Sequence, residues 1–183
     1  MHHVTDAFVI PLKRFDLAKL RLRVNNTPSV TDLAQQLATR VIEACAPRPT
    51  IVLSESDAVS RFASALGCDV LRSDASGLND AVQRAYGALQ SRYERLIIVH
   101  GDLRDPDGLA SFEPDAGITI VTDHHGLGTN VMAVPTGLDF HFFYGENSAS
   151  RHRREAERIG CALTVVTDSP WRFDVDEPED LVP

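Results

Sequence analysis

The sequence predicts an α/β protein in which a parallel or mixed sheet is covered by helices on both faces. Short apolar runs, rich in β-branched residues and bounded by Gly, Pro or Asp, alternate with stretches of helical periodicity. Strands connected through helices in this way are typical of such sheets. The predicted strands are residues 7–12, 50–54, 68–71, 95–102, 117–122, 129–134 and 162–167.

Four helices are predicted between these strands. Leu33, Leu37 and Val41 recur at every fourth position, which predicts an amphipathic helix over residues 30–45. A second helix is predicted to follow Ser56 and to end at Gly67, because serine is typical of helix starts and glycine of helix ends. The remaining two helices are predicted over residues 79–93, which have one apolar side, and over the charged residues 148–160.

Length and composition indicate one domain spanning residues 1–183, with 43% hydrophobic residues. The net charge of -8 and the absence of a large Lys/Arg block argue against a nucleic-acid binder. No secretory signal layout begins the sequence, and no apolar run approaches the roughly 18 residues that a membrane span needs. We therefore expect a cytoplasmic protein. Cys45, Cys68 and Cys161 are far apart and form no C-x-x-C pair, so we expect core thiols.

A basic stretch follows the first strand. Five cations lie within eleven residues of an otherwise acidic chain, at Lys13, Arg14, Lys19, Arg21 and Arg23. This density fits a polyphosphate-binding loop, and it fits a solvated basic stretch equally well. The sequence contains no G-x-x-x-x-G-K-[ST] motif, and "GLGTNV" lacks the third glycine of a dinucleotide fingerprint. A P-loop enzyme or an ordinary dehydrogenase is therefore disfavoured.

Three aspartates occupy positions where a hard cation such as Mg²⁺ could meet phosphate oxygens. Asp102 ends the fourth predicted strand, at the strand end where α/β sheets bind ligands. Asp174 and Asp176 are two residues apart and would share one side of an extended chain. Capping is the alternative role: Asp102 could cap the following turn, and Asp176 with Glu179 resembles a capping box.

Two glycines and two histidines separate the fifth and sixth predicted strands. The stretch "DHHGLGTN" fits a glycine hairpin, and its permissive backbone would also allow a small anion to approach closely. His124 and His125 are neighbours, and neighbours on an extended chain face opposite ways, so we do not expect a shared metal ion. For His152 we consider anion contact and packing on the helix surface.

Six motifs in order resemble the 2-phospho-L-lactate or phosphoenolpyruvate guanylyltransferases of coenzyme F420 biosynthesis. They are "PLKRFDLAKLRL", "GLNDAV", "HGDL", "DHHGLGTNVMAV", "FFYGENSASRHRREAERIG" and "FDVDEPEDL". The resemblance spans nearly the whole chain. It implies a three-layer α/β/α fold of the nucleotide-diphospho-sugar transferase type. It also implies that GTP reacts with a phosphorylated three-carbon acid, that pyrophosphate is released, and that two chains pair into a homodimer.

The resemblance assigns roles to individual residues. It implies that Mg²⁺ is held by Asp102, Asp174 and Asp176, and that Asp102 and Lys19 act directly in catalysis. It places Thr129, Gly145 and Ser148 at the acceptor, where the start of helix 148–160 would offer free N–H groups. The residues implied to bind the nucleotide are Lys13, Lys19, Arg21, Gly77, Leu78 and Asn79.

The expected reaction needs no side-chain nucleophile or general base, because the acceptor phosphate is already ionised at neutral pH. Two departures from the family pattern stand out: Leu20 replaces a hydroxyl residue in the first loop, and Arg104 stands where proline is common. Two alternatives therefore stay open, namely another nucleotidyltransferase of the same fold, of molybdenum-cofactor or sugar-phosphate type, and a non-catalytic nucleotide-binding relative. Phosphoenolpyruvate, 2-phospho-L-lactate and 3-phosphoglycerate are not distinguished by the sequence, and guanine over adenine follows from the resemblance alone.

Overall fold

Seven strands form one mixed sheet in the computed structural model, which describes residues 6–15 and 30–175 of the chain. Their order across the sheet is β3-β2-β1-β4-β6-β5-β7. Strand β6 runs antiparallel to both of its neighbours, and the other pairs are parallel. The strands in chain order are β1 Asp6–Pro11, β2 Thr50–Ser54, β3 Asp69–Arg72, β4 Arg95–Val99, β5 Ile118–Thr122, β6 Thr129–Pro135 and β7 Leu163–Val166.

All seven predicted strands and all four predicted helices are present. The fourth strand is shorter than predicted, because the chain turns at Gly101 and Asp102 after β4 ends. The third helix ends before its predicted limit, because a turn follows it. The helices are α1 Val30–Cys45, α2 Asp57–Ala65, α3 Leu78–Leu89 and α4 Ser148–Arg158, and short 3-10 helices cover Leu109–Ser111 and Pro170–Arg172.

The sheet separates two hydrophobic cores, which gives the predicted three layers. Alternate residues of β1 point to opposite faces, so Val9 packs with α3 and α4 whereas Ile10 packs with α1 and α2. Cys45 lies in the second core, where burial raises the pKa of its thiol to about 12. Cys68 and Cys161 are half-buried free thiols. Within residues 6–15 and 30–175, no helix is both long and apolar enough to cross a membrane.

Candidate active site

A cavity of about 600 Å³ opens at the carboxyl ends of β1, β2 and β4. Its volume lies in the range of small-molecule sites, and its position is where open α/β sheets bind ligands. Four of the residues predicted from the sequence meet there, on three different connections: Lys13 after β1, Gly77 and Leu78 before α3, and Asp102 after β4. The topology therefore brings together residues that are up to 89 positions apart in the chain.

Helix α3 begins at the edge of this cavity. Gly77 precedes it with a φ of 141°, a backbone conformation that favours glycine. Among the described residues, no side chain caps this helix start. The N-terminal end of a helix carries partial positive charge and N–H groups that bind anions. Together with the exposed Lys13, this end of α3 makes the cavity suited to phosphates.

The backbones carrying Asp102 and Asp174 are hydrogen-bonded to each other. Leu103 and Asp174 form an isolated antiparallel bridge, in which the N–H of Val175 donates to the carbonyl oxygen of Asp102 over 2.9 Å. Asn130, at the start of β6, donates to the Asp174 carboxylate over 3.3 Å. The structure therefore brings the C-terminal aspartate next to the strand-end aspartate, although they are 72 positions apart.

Arg104 strengthens this junction. Its N–H donates to the carbonyl oxygen of Phe173 over 2.8 Å, and its guanidinium lies 4.8 Å from the centre of the Phe173 ring. Proline, which is common at this position in the family pattern, has no N–H and could not make that hydrogen bond. This departure therefore adds a link between the segments that carry Asp102 and Asp174.

Asn79 connects the cavity to the other half of the molecule. Its amide nitrogen donates to the carbonyl oxygen of Tyr144 over 3.1 Å, and its amide oxygen accepts the N–H of the same residue. The next residue, Gly145, has a φ of 111°, which also favours glycine. Asn79 was predicted to lie near the nucleotide, and here it holds the backbone beside a predicted acceptor residue.

Residues 138–147, the bridging segment, form no regular secondary structure, yet side chains satisfy much of their backbone. Successive N–H groups alternate between two helices. Those of Phe142 and Tyr144 donate to side chains of α3, whereas those of His141 and Phe143 donate to side chains of α4. The side-chain acceptors are Gln83 and Asn79 in α3, and Glu155 and His152 in α4. These four hydrogen bonds satisfy backbone groups that a strand ladder would otherwise satisfy.

Thr129 and Ser148, two of the predicted acceptor residues, lie in a buried network with His152. The Ser148 hydroxyl donates to Thr129 Oγ1 over 3.2 Å, and His152 Nδ1 lies 3.1 Å from the same oxygen. His152 is fully buried, and its Nε2 accepts the N–H of Phe143 over 2.9 Å. Burial, together with the nearby positive charge of Arg151, lowers the pKa of His152 to about 3. Of the two alternatives considered for this histidine, packing on the helix surface is therefore wrong.

The loop between β5 and β6 is a hairpin that caps α4. The carbonyl oxygen of Leu127 accepts the N–H of Ala149 over 3.0 Å, and that of Gly145 accepts the N–H of Ser148 over 3.1 Å. The expected free N–H groups at these two positions are therefore already occupied. The hairpin fixes the start of α4 relative to β6, which brings Thr129 and Ser148 together.

Asp123 and a glycine shape this hairpin. The Asp123 carboxylate accepts the N–H of Leu127 over 2.8 Å, and a Cβ at position 128 would lie 2.7 Å from that carboxylate. A side chain at position 128 would therefore displace the Asp123 carboxylate, which accepts the Leu127 N–H. The rings of His124 and His125 lie only 3.7 Å apart, because a turn rather than an extended chain carries them, so the expectation that they face opposite ways is wrong. The described part of the chain holds no group of three or more His, Cys, Asp and Glu residues suited to a metal ion.

Three predicted site residues, Lys19, Arg21 and Asp176, lie outside the described residues, as does Leu20. Sequence reasoning missed the roles of Gln83 and Tyr144 and the burial of His152. One signal was available for the bridging segment: Phe140, Phe142 and Tyr144 are aromatic residues at every second position, and all three are buried, whereas His141 is exposed and Phe143 is half-buried.

Comparison with known proteins identifies sequence relatives over almost the whole chain. The family model described as Guanylyl transferase CofC like matches residues 6–183. The chain is 28% identical to phosphoenolpyruvate guanylyltransferase of Sphaerobacter thermophilus, covering 97% of this chain and 91% of the relative. It is 30% identical to the enzyme of that name from Conexibacter woesei, and the match covers 94% of this chain and 84% of the relative. It is also 30% identical to 3-phospho-D-glycerate guanylyltransferase of Phenylobacterium zucineum, and this match covers 75% of this chain and 66% of the relative.

Solved structures support the fold. A Desulfovibrio desulfuricans G20 protein assigned to the nucleotide-diphospho-sugar transferases has a TM-score of 0.76 at 14% identity, covering 98% of this chain and 85% of that one. A nucleotidyl transferase from Methanothermobacter has a TM-score of 0.63 at 15% identity, covering 96% of this chain and 94% of that one. At these identities the similarity concerns the fold, and it confirms the predicted α/β class.

Proposed function

The chain belongs to the guanylyl transferase CofC-like family, and from this premise we propose that it transfers GMP from GTP to a phosphorylated three-carbon acid. The chain is thus an enzyme of the nucleotidyltransferase class. The proposed acceptor is phosphoenolpyruvate or 2-phospho-L-lactate, and the proposed pathway is the biosynthesis of coenzyme F420. Relatives from Sphaerobacter and Conexibacter that are named for phosphoenolpyruvate support that acid as the first to test.

One observation carries this proposal. Asp102 lies at the edge of a cavity that also contains Lys13 and the start of α3, and the backbone of Asp174 is hydrogen-bonded beside it. Carboxylates and cationic groups at one end of a sheet suit a substrate with several phosphates. Thr129 and Ser148 form a buried polar cluster between α4 and β6, and Asn79 links the start of α3 to Tyr144 beside Gly145.

In the proposed reaction, an oxygen of the acceptor phosphate attacks the α-phosphorus of GTP. A new phosphoanhydride bond forms, the bond between the α-phosphorus and the bridging oxygen breaks, and pyrophosphate leaves with the electron pair. The protein's task is to hold two polyanions in line and to stabilise the negative charge that develops on the leaving group. Lys13 and the start of α3 supply positive charge at the cavity. Lys19 and Arg21 are proposed to act with them.

The residues present suit Mg²⁺. Asp102 and Asp174 offer carboxylate oxygens on hydrogen-bonded segments, and hard oxygen ligands are what this ion prefers. We propose that these two residues hold it together with Asp176. When bound, the ion would neutralise phosphate charge and polarise the bond to the leaving pyrophosphate.

The first experiment measures pyrophosphate release from GTP with Mg²⁺. Phosphoenolpyruvate, 2-phospho-L-lactate and 3-phospho-D-glycerate are tested separately, ATP replaces GTP as the control nucleotide, and mass spectrometry identifies the product. We expect release with GTP and one of the first two acids, and a product whose mass equals that of GMP joined to the acid with loss of water.

Each other outcome contradicts part of the proposal. Turnover with 3-phospho-D-glycerate alone would replace the proposed acceptor. Turnover with ATP at an equal rate would contradict the assignment of guanine. Binding of GTP without turnover of any acid would favour the non-catalytic alternative.

Three further properties belong to the same proposal. We infer that two chains pair into a homodimer, that the enzyme acts in the cytoplasm, and that it binds no nucleic acid. The net charge of -8 supports the last of these, because a nucleic-acid surface repels an acidic protein. Size-exclusion chromatography with light scattering measures the proposed pairing, and a monomer at micromolar concentration would contradict it.

A further inference from the structure

His152 links all of the elements that carry the predicted acceptor residues. Its ring lies between Thr129 at the start of β6 and the backbone of Phe143, two residues before Gly145. Through Thr129 it also contacts Ser148 at the start of α4. The three predicted acceptor positions come from separate parts of the chain, and the His152 ring connects them. It contacts Thr129 directly, Ser148 through Thr129, and the backbone that leads to Gly145.

The hydrogen bonds fix the state of the ring. The backbone N–H of Phe143 donates to Nε2, so Nε2 carries no hydrogen and accepts. A neutral imidazole with an unprotonated Nε2 carries its hydrogen on Nδ1, which therefore donates to Thr129 Oγ1. Since the Ser148 hydroxyl donates to the same oxygen, both lone pairs of Thr129 Oγ1 are occupied. The hydrogen of the Thr129 hydroxyl is then directed away from both donors.

We propose that His152 is a positioning residue for acceptor binding, which holds the Thr129 hydroxyl as a donor and fixes the backbone before Gly145. This inference rests on the proposed function, because it assumes that Thr129, Gly145 and Ser148 contact the acid. A carboxylate or phosphate accepts hydrogen bonds and cannot donate them, so a hydroxyl locked as a donor suits an anionic acceptor. His152 itself touches protein groups and takes no part in the chemical step.

The surroundings keep the imidazole neutral. Phe140 and Tyr144 enclose the ring, at centroid distances of 6.1 Å and 5.1 Å. The charged or titratable groups around it are Arg151 and His100, which disfavour a positive ring, and Glu155, which favours one. The desolvation of the buried ring is the largest effect. The arrangement at Thr129 should therefore persist through the pH range in which an exposed histidine would become charged.

Two amide substitutions separate the two ring contacts. Asparagine places a side-chain amide near the position of Nδ1, so His152→Asn retains a donor for Thr129. Glutamine places its amide near the position of Nε2, so His152→Gln retains a partner for Phe143 and loses the donor to Thr129. His141→Asn is the matched control, because His141 lies in the same bridging segment and its exposed ring pairs with Glu155 instead.

Binding of phosphoenolpyruvate, 2-phospho-L-lactate and 3-phospho-D-glycerate is measured by calorimetry, and KM values for GTP and for the active acid are measured alongside. We expect His152→Gln to weaken acid binding about tenfold or more while the KM for GTP changes less than about twofold. We expect His152→Asn, which loses only the partner of the Phe143 N–H, to weaken acid binding less than His152→Gln does, and we expect His141→Asn to match the wild type. Equal acid binding by His152→Gln and His141→Asn would overturn the proposal.

A spectroscopic measurement on the wild type needs neither variant. In ¹⁵N-labelled protein, His152 should show a protonated Nδ1 and an unprotonated Nε2, with signals that do not shift between about pH 7.5 and 5. A hydrogen on Nε2, or titration in this range, would overturn the proposal even where a variant does not fold. If the wild type binds none of the three acids, the proposed function fails first. If it binds one and His152→Gln binds it equally well, only the role of His152 fails.

Discussion

The two halves of the sheet carry their polar residues in opposite ways. In the nucleotide half, comprising β1–β4 and α1–α3, Lys13 and Gly77 are exposed at a wide cavity. In the acceptor half, comprising β5–β7, α4 and the bridging segment, Thr129, Ser148 and His152 are buried and hydrogen-bonded to one another. One half presents charge to an open space, whereas the other holds neutral donors in a fixed arrangement.

The two ligands that we propose would account for this difference. A nucleoside triphosphate is large and highly charged, so cations and an ion can bind it from an open cavity. A three-carbon acid is small and offers few atoms, so its recognition depends on donors that are positioned in advance. Substitutions in the nucleotide half should therefore change the rate of turnover. Substitutions in the acceptor half should change acid binding or stability.

The largest effect is expected at Asp102. Asp102→Asn keeps the size of the side chain and removes its negative charge, so turnover should fall at least about 100-fold if this carboxylate holds Mg²⁺. The rate is measured as pyrophosphate release, and circular dichroism checks the fold. Asp168→Asn, at an exposed position after β7, is the matched control and should retain the wild-type rate. A near-normal rate for Asp102→Asn would remove this residue from the site.

A smaller effect is expected in the acceptor half, at Gly145. With a φ of 111° this position disfavours any other residue, and a side chain there costs of order 1–3 kcal/mol of backbone strain. A Cβ would meet no atom within 4 Å, so Gly145→Ala tests the backbone conformation rather than a clash. The KM for the acid should rise about tenfold, with the KM for GTP changed less than about twofold.

Gly87→Ala gives the comparison that sharpens this result. Gly87 lies within α3, has ordinary helical backbone angles, and likewise has no atom within 4 Å of an added Cβ. The same substitution should there stabilise the protein by about 0.5–1 kcal/mol in chemical unfolding and leave both KM values unchanged. If the two alanine variants behaved alike, the conformation of Gly145 would not matter for the acid.

Periodicity and strand ends predicted much of this molecule. Helix α1 has the predicted bounds, because its apolar repeat is long and regular. Lys13, Gly77, Leu78 and Asp102 meet at one cavity because the carboxyl ends of neighbouring parallel strands lie at one edge of a sheet. These features depend on local patterns and on a general rule of topology, so a single sequence contains them.

The bridging segment could not be predicted in the same way. Its backbone is held by side chains 57 and 65 positions away in α3, and no local pattern encodes such pairs. The burial of His152 was hidden for a related reason. Helix α4 is rich in charged residues, which is typical of a solvated surface, yet the bridging segment covers one side of it and buries His152 and Glu155. Long-range polar pairing, rather than apolar periodicity, decides the structure there.

The remaining effect concerns stability and pH, and it tests whether the acceptor half depends on a neutral His152. The pKa of His152 falls from the ordinary 6.5 to about 3 in the folded chain, so the unfolded chain binds the extra proton first as pH is lowered. The free energy of unfolding that the neutral His152 contributes is therefore fully present above pH 6.5 and is lost progressively below that pH. Between about pH 7.5 and 5.5, the loss should be about 1.4 kcal/mol.

The free energy of unfolding is measured by urea titration at both pH values, for the wild type and for His152→Asn. Asparagine does not titrate, so the variant should be less stable at pH 7.5 and should lose about 1.4 kcal/mol less on acidification. The carboxylates contribute little to this difference, because even the depressed pKa of Glu155, at about 2, governs stability only below its ordinary value of 4.5. Equal losses in the two proteins would mean that His152 becomes protonated while the chain remains folded. The acceptor half would then resemble the nucleotide half, with a charged group in place of a fixed neutral donor.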